Sequence, residues 1–552
     1  MGSKLMSRWI VGAVAAALVL GALPTVADSK SAPSKVDPAL LAAAKASPNA
    51  LFAVIVRGAA SNDPKSRVKN AEAALMSSTG TRRTLSIVGS ASGTLRGAQI
   101  LALASMPGVE RIVRDQTFSV SWSPADAAAA ATEAGILAVN APQAWSTLGV
   151  SGNGVGVAVI DSGVADHPDL AGRVVARVDF TGEQSTGDPG GHGTHVAGLI
   201  AGNGTASNGT WTGVAPQANI VSVRVIDANG HATLSTIFAG MQWVLANRST
   251  DNIKVVNLSF GGTPTSGYQS DLLASAAEML NFAGLTVVVA AGNSGPGAST
   301  ITTPATDPFV ITVGASDDAG TATLLDDSVA GWSSTGPTAF DGIAKPDLIA
   351  PGRKMIGLRA AGSAIDTAYP ERRVTAPGAL DAQYFSMSGT SMAAPVVAGV
   401  AALYLERNPT ASPRKVKRQL TGTAQPLLGA PASAQGAGVV DALAALSVTI
   451  PSIDYTQYPA SRAFAEQVYP KVYGQPLVWR DLTFHGGVDS RGIPWTAITW
   501  ADITWDDITW EDITWEAFDW LGITWQDITW EDITWETTTA PLGGSGGWTL
   551  VN

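Results

Sequence analysis

Gly389-Thr-Ser-Met-Ala-Ala-Pro395 opens an uncharged apolar run that extends from Met392 to Leu405. This pattern predicts a buried helix with Ser391 in its first turn, where Pro395 is tolerated. The first turn of a helix has unpaired backbone N–H groups, which stabilise negative charge that develops on a hydroxyl. A lone serine at this position is usually only a helix cap. A functional interpretation therefore depends on two further stretches.

Two upstream stretches supply the groups that a serine nucleophile requires. Val155-Gly-Val-Ala-Val-Ile-Asp161 is an apolar strand that ends in an acid, and His192-Gly-Thr-His-Val-Ala-Gly198 begins with a histidine. A serine needs a base to take its proton, and the base needs an acid to fix its tautomer. Asp161, His192 and Ser391 therefore form a candidate catalytic triad in the chain order Asp, His, Ser.

These motifs resemble those of the subtilisin-type serine proteases. Three more segments match the family in its order, namely Val256-Asn-Leu-Ser-Phe-Gly261, Ala290-Ala-Gly-Asn293 and Lys345-Pro-Asp-Leu-Ile-Ala-Pro-Gly352. The resemblance covers residues 130–447 and implies a catalytic domain with an α/β fold, in which helices cover both faces of a parallel sheet. It also implies hydrolysis of peptide bonds in proteins and peptides.

The residue pattern independently indicates the same fold class. Near-continuous apolar strands (220–226, 254–258, 285–290 and 309–313) alternate with helical stretches (195–201, 233–246 and 270–283), as in a parallel sheet covered on both faces. Sites in such sheets form beyond the carboxyl ends of the strands, where Asp161, Ser259 and Asn293 are placed. An α/β-hydrolase is excluded, because Ala393 replaces the last glycine of Gly-x-Ser-x-Gly and the chain order differs.

The resemblance assigns roles to further residues. His192 is the implied general base, Asp161 orients it, and the Asn293 amide and the Ser391 backbone N–H are the implied oxyanion donors. The substrate-binding residues that it implies are Ser259, Phe260, Gly261, Ala290, Ala291 and Gly292. Pairing of an extended peptide with this edge predicts broad sequence preference, with an apolar side chain beside the scissile bond.

The sequence gives weaker evidence about the remaining histidines and about metal binding. His195 is predicted to pack locally in the helix of its motif, and the other histidines lack metal-site spacing; these are His167, His231 and His485. The chemistry requires no cofactor. Calcium commonly supports the family, and oxygen ligands such as Asn208 are candidates in the loop Gly202 to Thr212. The sequence leaves the metal ligands open.

The N-terminal part indicates export and a zymogen. Residues 1–27, with Lys4 and Arg8 before an apolar stretch, are predicted to be a signal peptide and not a membrane anchor, which needs about 18–20 apolar residues. Residues 28–125 are predicted to be a linker (28–48) and a small α+β domain with a β-α-β-α-β order. That domain resembles the family's propeptide, which assists folding and inhibits the enzyme until autoprocessing, here between residues 113 and 138.

The C-terminal part is acidic and repetitive. The chain has no cysteine and a net charge of −11, and eleven acids but no Lys or Arg lie within residues 495–537. Nine tryptophans recur there every five residues. This tail, separated by a linker (448–494) and followed by an extension (538–552), is interpreted either as a pentapeptide-repeat β-helix or as a segment ordered by a partner.

Two classes of function follow from these patterns. The first is a secreted serine endopeptidase, with a tail that attaches to a cell-surface or extracellular partner. The second is a binding protein with a vestigial protease body. The first class is favoured because a site that has lost its activity need not keep all four of Asp161, His192, Ser391 and Asn293.

Overall fold

The computed structural model describes residues 35–59, 65–120, 134–268 and 270–450. Outside these residues lie the predicted signal peptide, the acidic tail and the C-terminal extension. Residues 121–133 of the predicted cleavage window also lie outside them. Within the described ranges, no helix is long and apolar enough to cross a bilayer. The predicted domain boundaries stay a prediction.

Residues 35–120 form a small α+β unit followed by a separate strand. Its elements in chain order are α1 (Pro38–Ala46), β1 (Leu51–Gly58), α2 (Ser66–Ala74), β2 (Thr79–Leu85), β3 (Ser90–Arg96), α3 (Gly97–Leu103), β4 (Val109–Arg114) and β5 (Thr117–Val120). The strands β2, β3, β1 and β4 lie side by side in that order in one sheet. β1 is central and pairs antiparallel with both β3 and β4.

Two predictions for this unit are wrong in detail. The predicted linker contains α1, whose N-cap Asp37 accepts a hydrogen bond from the Leu40 backbone N–H. The predicted β-α-β-α-β order lacks β3, which lies between β2 and α3. The sequence Ser-Ala-Ser-Gly-Thr-Leu-Arg of β3 has only one large apolar residue, Leu95, where a typical strand has several. It is buried because its neighbours lie close, and a Cβ on Gly93 would lie 2.9 Å from Ser78 Oγ.

Residues 134–450 form the larger unit. Its helices are α4 (Ala134–Ala138), α5 (Ala141–Leu148), α6 (His192–Ala201), α7 (Leu234–Asn247), α8 (Leu272–Phe282), α9 (Ala364–Ala368), α10 (Thr390–Arg407), α11 (Pro413–Gly422), α12 (Ala432–Gln435) and α13 (Ala442–Ser447). Its strands are β6 (Gly156–Asp161), β7 (Val174–Asp179), β8 (Asn219–Arg224), β9 (His231–Thr233), β10 (Ile253–Leu258), β11 (Phe260–Gly261), β12 (Thr286–Ala290), β13 (Ile311–Asp317), β14 (Ser328–Val329), β15 (Leu348–Pro351), β16 (Met355–Leu358), β17 (Arg373–Val374) and β18 (Tyr384–Met387).

A mostly parallel sheet organises this unit, as the sequence predicts. The order is β14-β13-β12-β10-β6-β8-β7, with β15 also paired to β13. The neighbours of β10 and β6 run parallel, and only β14 runs antiparallel to β13. Every residue of β6 and of β12 is buried, which explains why these strands are apolar throughout instead of alternating.

Helices cover both faces of the sheet and define two cores. On one face lie α6 and the long helix α10, whose residues from Thr390 to Leu405 are buried. On the other face lie α7 and α8. The helix α6 starts at His192 and not at His195 as predicted, so the candidate base lies in its first turn.

The N-terminal unit packs on the α7 and α8 face. Leu85, Ile87 and Val88 are fully buried in the same apolar cluster as the residues of these two helices. The carboxylate of Asp115 accepts hydrogen bonds from the backbone N–H and the hydroxyl of Ser235, at the start of α7. β5 then leaves this surface and lies between β11 and β9 in an antiparallel three-stranded sheet.

Candidate active site

The strand order brings the predicted site residues to one edge of the sheet. β6 and β10 pair so that Ile160 lies beside Leu258, and β10 and β12 pair so that Leu258 lies beside Val289. Asp161, Ser259 and Ala290 are the next residues on the three strands, and neighbouring strands lie about 4.8 Å apart. They therefore lie in a row at the carboxyl edge.

Asp161 and His192 are in direct contact. The Nδ1 atom of His192 lies 2.8 Å from Asp161 Oδ1 and 3.0 Å from Oδ2, and both side chains are buried. The backbone N–H of Ser162 also donates to Oδ1. A Cβ on Gly193 would lie 2.2 Å from the Gly163 carbonyl oxygen, so glycine is needed for this close approach of α6 to the strand end. The arrangement fixes a proton on Nδ1 and leaves Nε2 to act as a base.

A second buried carboxylate, which the sequence analysis missed, holds the start of α6. Asp188 accepts hydrogen bonds from the Gly191 N–H and the Ser162 hydroxyl on Oδ1, and from the Thr194 N–H and hydroxyl on Oδ2. Burial raises its pKa against the opposing effect of these bonds. An acid four residues before the candidate histidine is the signal that would have suggested a helix cap.

We expect Asp188→Ala to lower kcat by about 100-fold with a smaller change in KM, because loss of the cap displaces His192 from its working position. Loss of hydrogen bonds to a buried charge should also destabilise the protein by about 2–4 kcal/mol. Steady-state kinetics below the melting temperature of the variant would measure the first effect. Asp188→Asn keeps some of the hydrogen bonds, so its kcat and its stability should lie between those of the wild type and of Asp188→Ala.

The control for Asp188 is Asp166→Ala, since the Asp166 side chain is 96% exposed and forms an ion pair with Arg177 at the surface. It should leave kcat unchanged. An Asp188→Ala variant with wild-type kcat and a lowered melting temperature would reduce Asp188 to a purely structural residue.

Ser391 is the second residue of α10 and is buried. Its hydroxyl donates to the Ser259 carbonyl oxygen at 2.8 Å, and the Ser259 hydroxyl donates to the Ser391 carbonyl oxygen at 2.9 Å. Among the described residues, Nε2 of His192 has no hydrogen-bond partner although it is buried. His192 contacts Asp161 at the end of β6, and Ser391 contacts Ser259 at the end of the neighbouring strand β10, so both lie at the same edge.

Asn293 is oriented by the first turn of α10. Its Oδ1 atom accepts hydrogen bonds from the Thr390 backbone N–H at 2.9 Å and from the Thr390 hydroxyl at 3.0 Å. A backbone N–H can only donate, so the amide oxygen must face Thr390 and the NH₂ group must face the other way. The Thr390 hydroxyl accepts in turn from the Gly292 N–H. An amide donor held in this way is suited to stabilising an oxyanion.

The predicted substrate strand is occupied by the chain itself. Phe260 lies opposite Val120 and Gly261 opposite Ser119. Other predicted binding residues serve the fold as well: Ala290 pairs with Val313, and the Ala291 carbonyl accepts from Thr302. β11 is therefore an edge that accepts an extended peptide.

His195 has a structural position. It is fully buried, and its Nε2 lies 3.1 Å from the Met355 carbonyl oxygen and 3.0 Å from that of Phe385. Burial, followed by the nearby His192, lowers the pKa of His195 to about 3. It stays neutral at neutral pH and donates through Nε2–H. His167 is likewise buried, bonded to the Gln383 carbonyl, while His231 is exposed at β9.

Oxygens in and near the loop Gly202 to Thr212 accept hydrogen bonds from the protein itself. The nearby Asp169 carboxylate accepts from the Ala206 N–H and from the Tyr384 hydroxyl. Asn203 Oδ1 accepts from Thr205. In the described part of the chain, no group of three His, Cys, Asp or Glu side chains is placed to hold a metal ion. These oxygens are satisfied by the protein's own donors, and a calcium site in this loop stays a prediction.

A buried Asp–His pair next to a serine in the first turn of a helix, with an oriented amide opposite, is the site of a serine hydrolase. Its position at the carboxyl edge of a parallel sheet, in the chain order Asp, His, Ser, separates it from the α/β-hydrolases.

Comparisons with known proteins agree with this class. The Subtilase family model matches residues 152–439. The chain is 42% identical over 299 residues to Serine protease AprX of Bacillus subtilis, a match that covers 53% of this chain and 66% of AprX. It is 36% identical over 312 residues to Subtilisin BL of Lederbergia lenta, covering 56% of this chain and 97% of that protein.

A solved structure is also similar. Fervidolysin from Fervidobacterium pennivorans, described as a keratinolytic enzyme related to subtilisin, superposes with a TM-score of 0.54 at 27% identity, covering 73% of this chain and 62% of that one. The chain thus spans slightly less than two thirds of fervidolysin and of AprX. The chain belongs to the subtilase family of serine peptidases, and the predicted subtilisin-like α/β fold is confirmed.

Proposed function

We propose that the protein is a secreted serine endopeptidase made as an autoprocessed zymogen, with Ser391 as nucleophile, His192 as general base and Asp161 as its orienting acid. The observation that carries the proposal is the buried Asp161–His192 contact at the edge where Ser391 meets Ser259. The relatives' names support a peptidase, and the vestigial alternative has no supporting observation at the site. Casein hydrolysis by the purified mature protein, absent in Ser391→Ala, tests it.

The chemistry follows from the positions of the donors. The Ser391 hydroxyl leaves the Ser259 carbonyl, gives its proton to His192 Nε2 and forms a bond to the substrate carbonyl carbon. His192 then passes the proton to the leaving amine as the C–N bond breaks, and an acyl-enzyme remains. Water then gives a proton to His192 and attacks the acyl carbon, and His192 returns the proton to Ser391 as the ester bond breaks. This releases the acid and restores Ser391.

The oxyanion forms where two donors converge. The Ser391 backbone N–H is one, because it lies in the first turn of α10, where the helix dipole favours negative charge. The NH₂ group of Asn293, turned away from Thr390, is the other. Both are fixed before the reaction, so little reorganisation is needed when charge develops.

We expect Asn293→Ala to reduce kcat by about 10²–10³-fold while KM changes little, because this hydrogen bond strengthens mainly in the transition state. Steady-state kinetics on a chromogenic peptide would measure both constants. A loss confined to KM would remove Asn293 from the oxyanion hole. Thr300→Ala, on the segment after Asn293, is the matched control and should keep wild-type kcat.

We propose that residues 35–120 inhibit the enzyme before cleavage. β5 lies between β11 and β9, where it occupies the edges that would otherwise pair with substrate. Hydrogen bonds from the main chain give affinity of this kind without a special sequence. The apolar contact of Leu85, Ile87 and Val88 with α7 and α8 then holds the inhibitory unit in place.

The register of β5 supports a specific cleavage bond. Val120 lies opposite Phe260, so the next residue of an extended chain would lie opposite Ser259, the residue that contacts the Ser391 hydroxyl. In this sequence that residue is Ser121. We therefore propose that maturation cuts the bond between Ser121 and Trp122, inside the predicted window.

We propose that the acidic tryptophan tail acts in attachment and not in catalysis. The family match ends at residue 439, and the tail combines eleven acids with nine tryptophans. Its charge disfavours compaction, while tryptophan is enriched at interfaces. A truncation after Pro494 should hydrolyse casein at the wild-type rate but lose retention at the cell surface. Equal retention of the two forms, or a well-folded truncation without activity, would contradict this.

A further inference from the structure

The space beside the scissile bond lies between two glycines. A substrate that continues the β5 register places its reacting residue opposite Ser259, with Gly261 of β11 on one side. Gly292, which precedes the oxyanion donor Asn293, lies on the other side, because the one side chain of Thr302 closely approaches both glycines. We call the segments at Gly261 and Gly292 the two walls of a cleft. Glycine has no side chain, so the side chain of the substrate residue must enter between these two walls.

The side chain of Thr302 fills the gap between these glycines. A Cβ built on Gly261 would lie 2.5 Å from Thr302 Oγ1, and one built on Gly292 would lie 2.6 Å from Thr302 Cγ2. Thr302 is half-buried between the buried residues Ile301 and Thr303. Its side chain therefore bridges the floor of the cleft from one wall to the other.

Thr302 cannot move aside easily. Its backbone N–H donates to the Ala291 carbonyl oxygen at 3.0 Å, and its hydroxyl donates to the same oxygen at 3.1 Å. The next residue, Thr303, pairs with Gly262 through two backbone hydrogen bonds of 2.9 and 3.1 Å. β-branching also restricts rotation about χ1. The segment is thus tied to both walls.

We infer that Thr302 limits the substrate side chain on the acyl side of the scissile bond to a small one, such as that of Ala or Ser. This inference rests on the proposed endopeptidase function and narrows the apolar preference expected from the sequence. The proposed maturation site agrees with it, since residue 121 is a serine. A large aromatic side chain would have to displace Thr302 from Ala291, and packed side chains resist such shifts.

The test compares peptides of the form Phe-Ser-Val-X-p-nitroanilide, with X as Ala, Leu or Phe. The first three residues copy Phe118, Ser119 and Val120 of β5, which pair with β9 and β11 in the structure. For the mature wild-type enzyme, we expect kcat/KM for X = Ala to exceed that for X = Phe by at least about tenfold, since even one methylene is worth about 10-fold or more.

Two variants carry the argument. Thr302→Gly removes the bridge and should raise kcat/KM for X = Phe by at least about tenfold, with little change for X = Ala. Thr302→Ser keeps the hydroxyl that bonds to Ala291 and removes only Cγ2, so it should give a smaller increase. Thr300→Gly, two residues earlier, is the control and should keep the wild-type ratio of Ala to Phe.

The outcomes separate this inference from the proposed function. Hydrolysis of no peptide above the level of Ser391→Ala would overturn the endopeptidase itself. Hydrolysis with a wild-type preference for Phe, or an Ala-to-Phe ratio unchanged in both Thr302 variants, would overturn the role of Thr302 alone. Retained cleavage of X = Ala shows that a variant is folded, and Thr302→Ser decides the question if Thr302→Gly fails to fold.

Discussion

Ser391→Ala should abolish peptide hydrolysis, with kcat reduced about 10⁶-fold, and should leave the precursor uncut. A methyl group cannot attack a carbonyl, and the same nucleophile serves both reactions in the proposed mechanism. Mass spectrometry of the purified wild-type and variant proteins would measure the second effect. We expect the wild-type mature chain to begin at Trp122 and the variant chain to retain residues 35–120.

The control for this experiment is Ser433→Ala, because Ser433 is exposed and lies beyond α10. It should mature and hydrolyse casein like the wild type. Correct maturation of Ser391→Ala in a strain without other exported proteases would show that Ser391 is not the maturation nucleophile. Residual hydrolysis within tenfold of the wild type would remove it from the chemistry altogether.

Asp161→Asn should reduce kcat by about 10⁴-fold with little change in KM. Asp161 holds His192 through Nδ1 at 2.8 and 3.0 Å, and a carboxylate there stabilises the imidazolium that forms during the reaction. An amide can place its NH₂ against Nδ1, which favours the tautomer with the proton on Nε2. That tautomer cannot accept the proton from Ser391.

Kinetics on one chromogenic peptide would compare Asp161→Asn with Asp381→Asn. Asp381 is exposed, so its substitution should leave kcat within a factor of about two. A fall in kcat of less than tenfold for Asp161→Asn would mean that His192 is oriented by another group. Asp188 is then the group to examine, because it holds the same helix turn through Gly191 and Thr194.

The sheet could be predicted because its strands are buried on both faces. β6 and β12 are nearly continuous apolar runs, and β10 departs from such a run only at Lys254 and Asn257. Glycine-rich turns separate these strands from the helices. β3 could not be predicted, because its small polar residues are buried by the closeness of α2 and not by their own hydrophobicity. α1 was missed since its alanines follow a Pro- and Ser-rich stretch.

The residues of the site could be recognised, but the contacts that orient them could not. Asp161, His192 and Ser391 lie in motifs, whereas Asp188 acts through four hydrogen bonds that exist only once α6 has formed. Thr302 carries no motif at all. Its position between Gly261 and Gly292 depends on the pairing of its segment with Ala291 and Gly262, which are distant in sequence.

The central claim is that Ser391 is the activated nucleophile of a site that residues 35–120 block. Labelling with a fluorophosphonate probe, followed by peptide mass spectrometry, tests it most directly. We predict one labelled peptide, modified at Ser391, in the mature enzyme, and loss of labelling in His192→Ala and when a peptide of residues 35–120 is added. Labelling at another serine, or casein hydrolysis that continues with Ser391 unmodified at saturating probe, would contradict the claim.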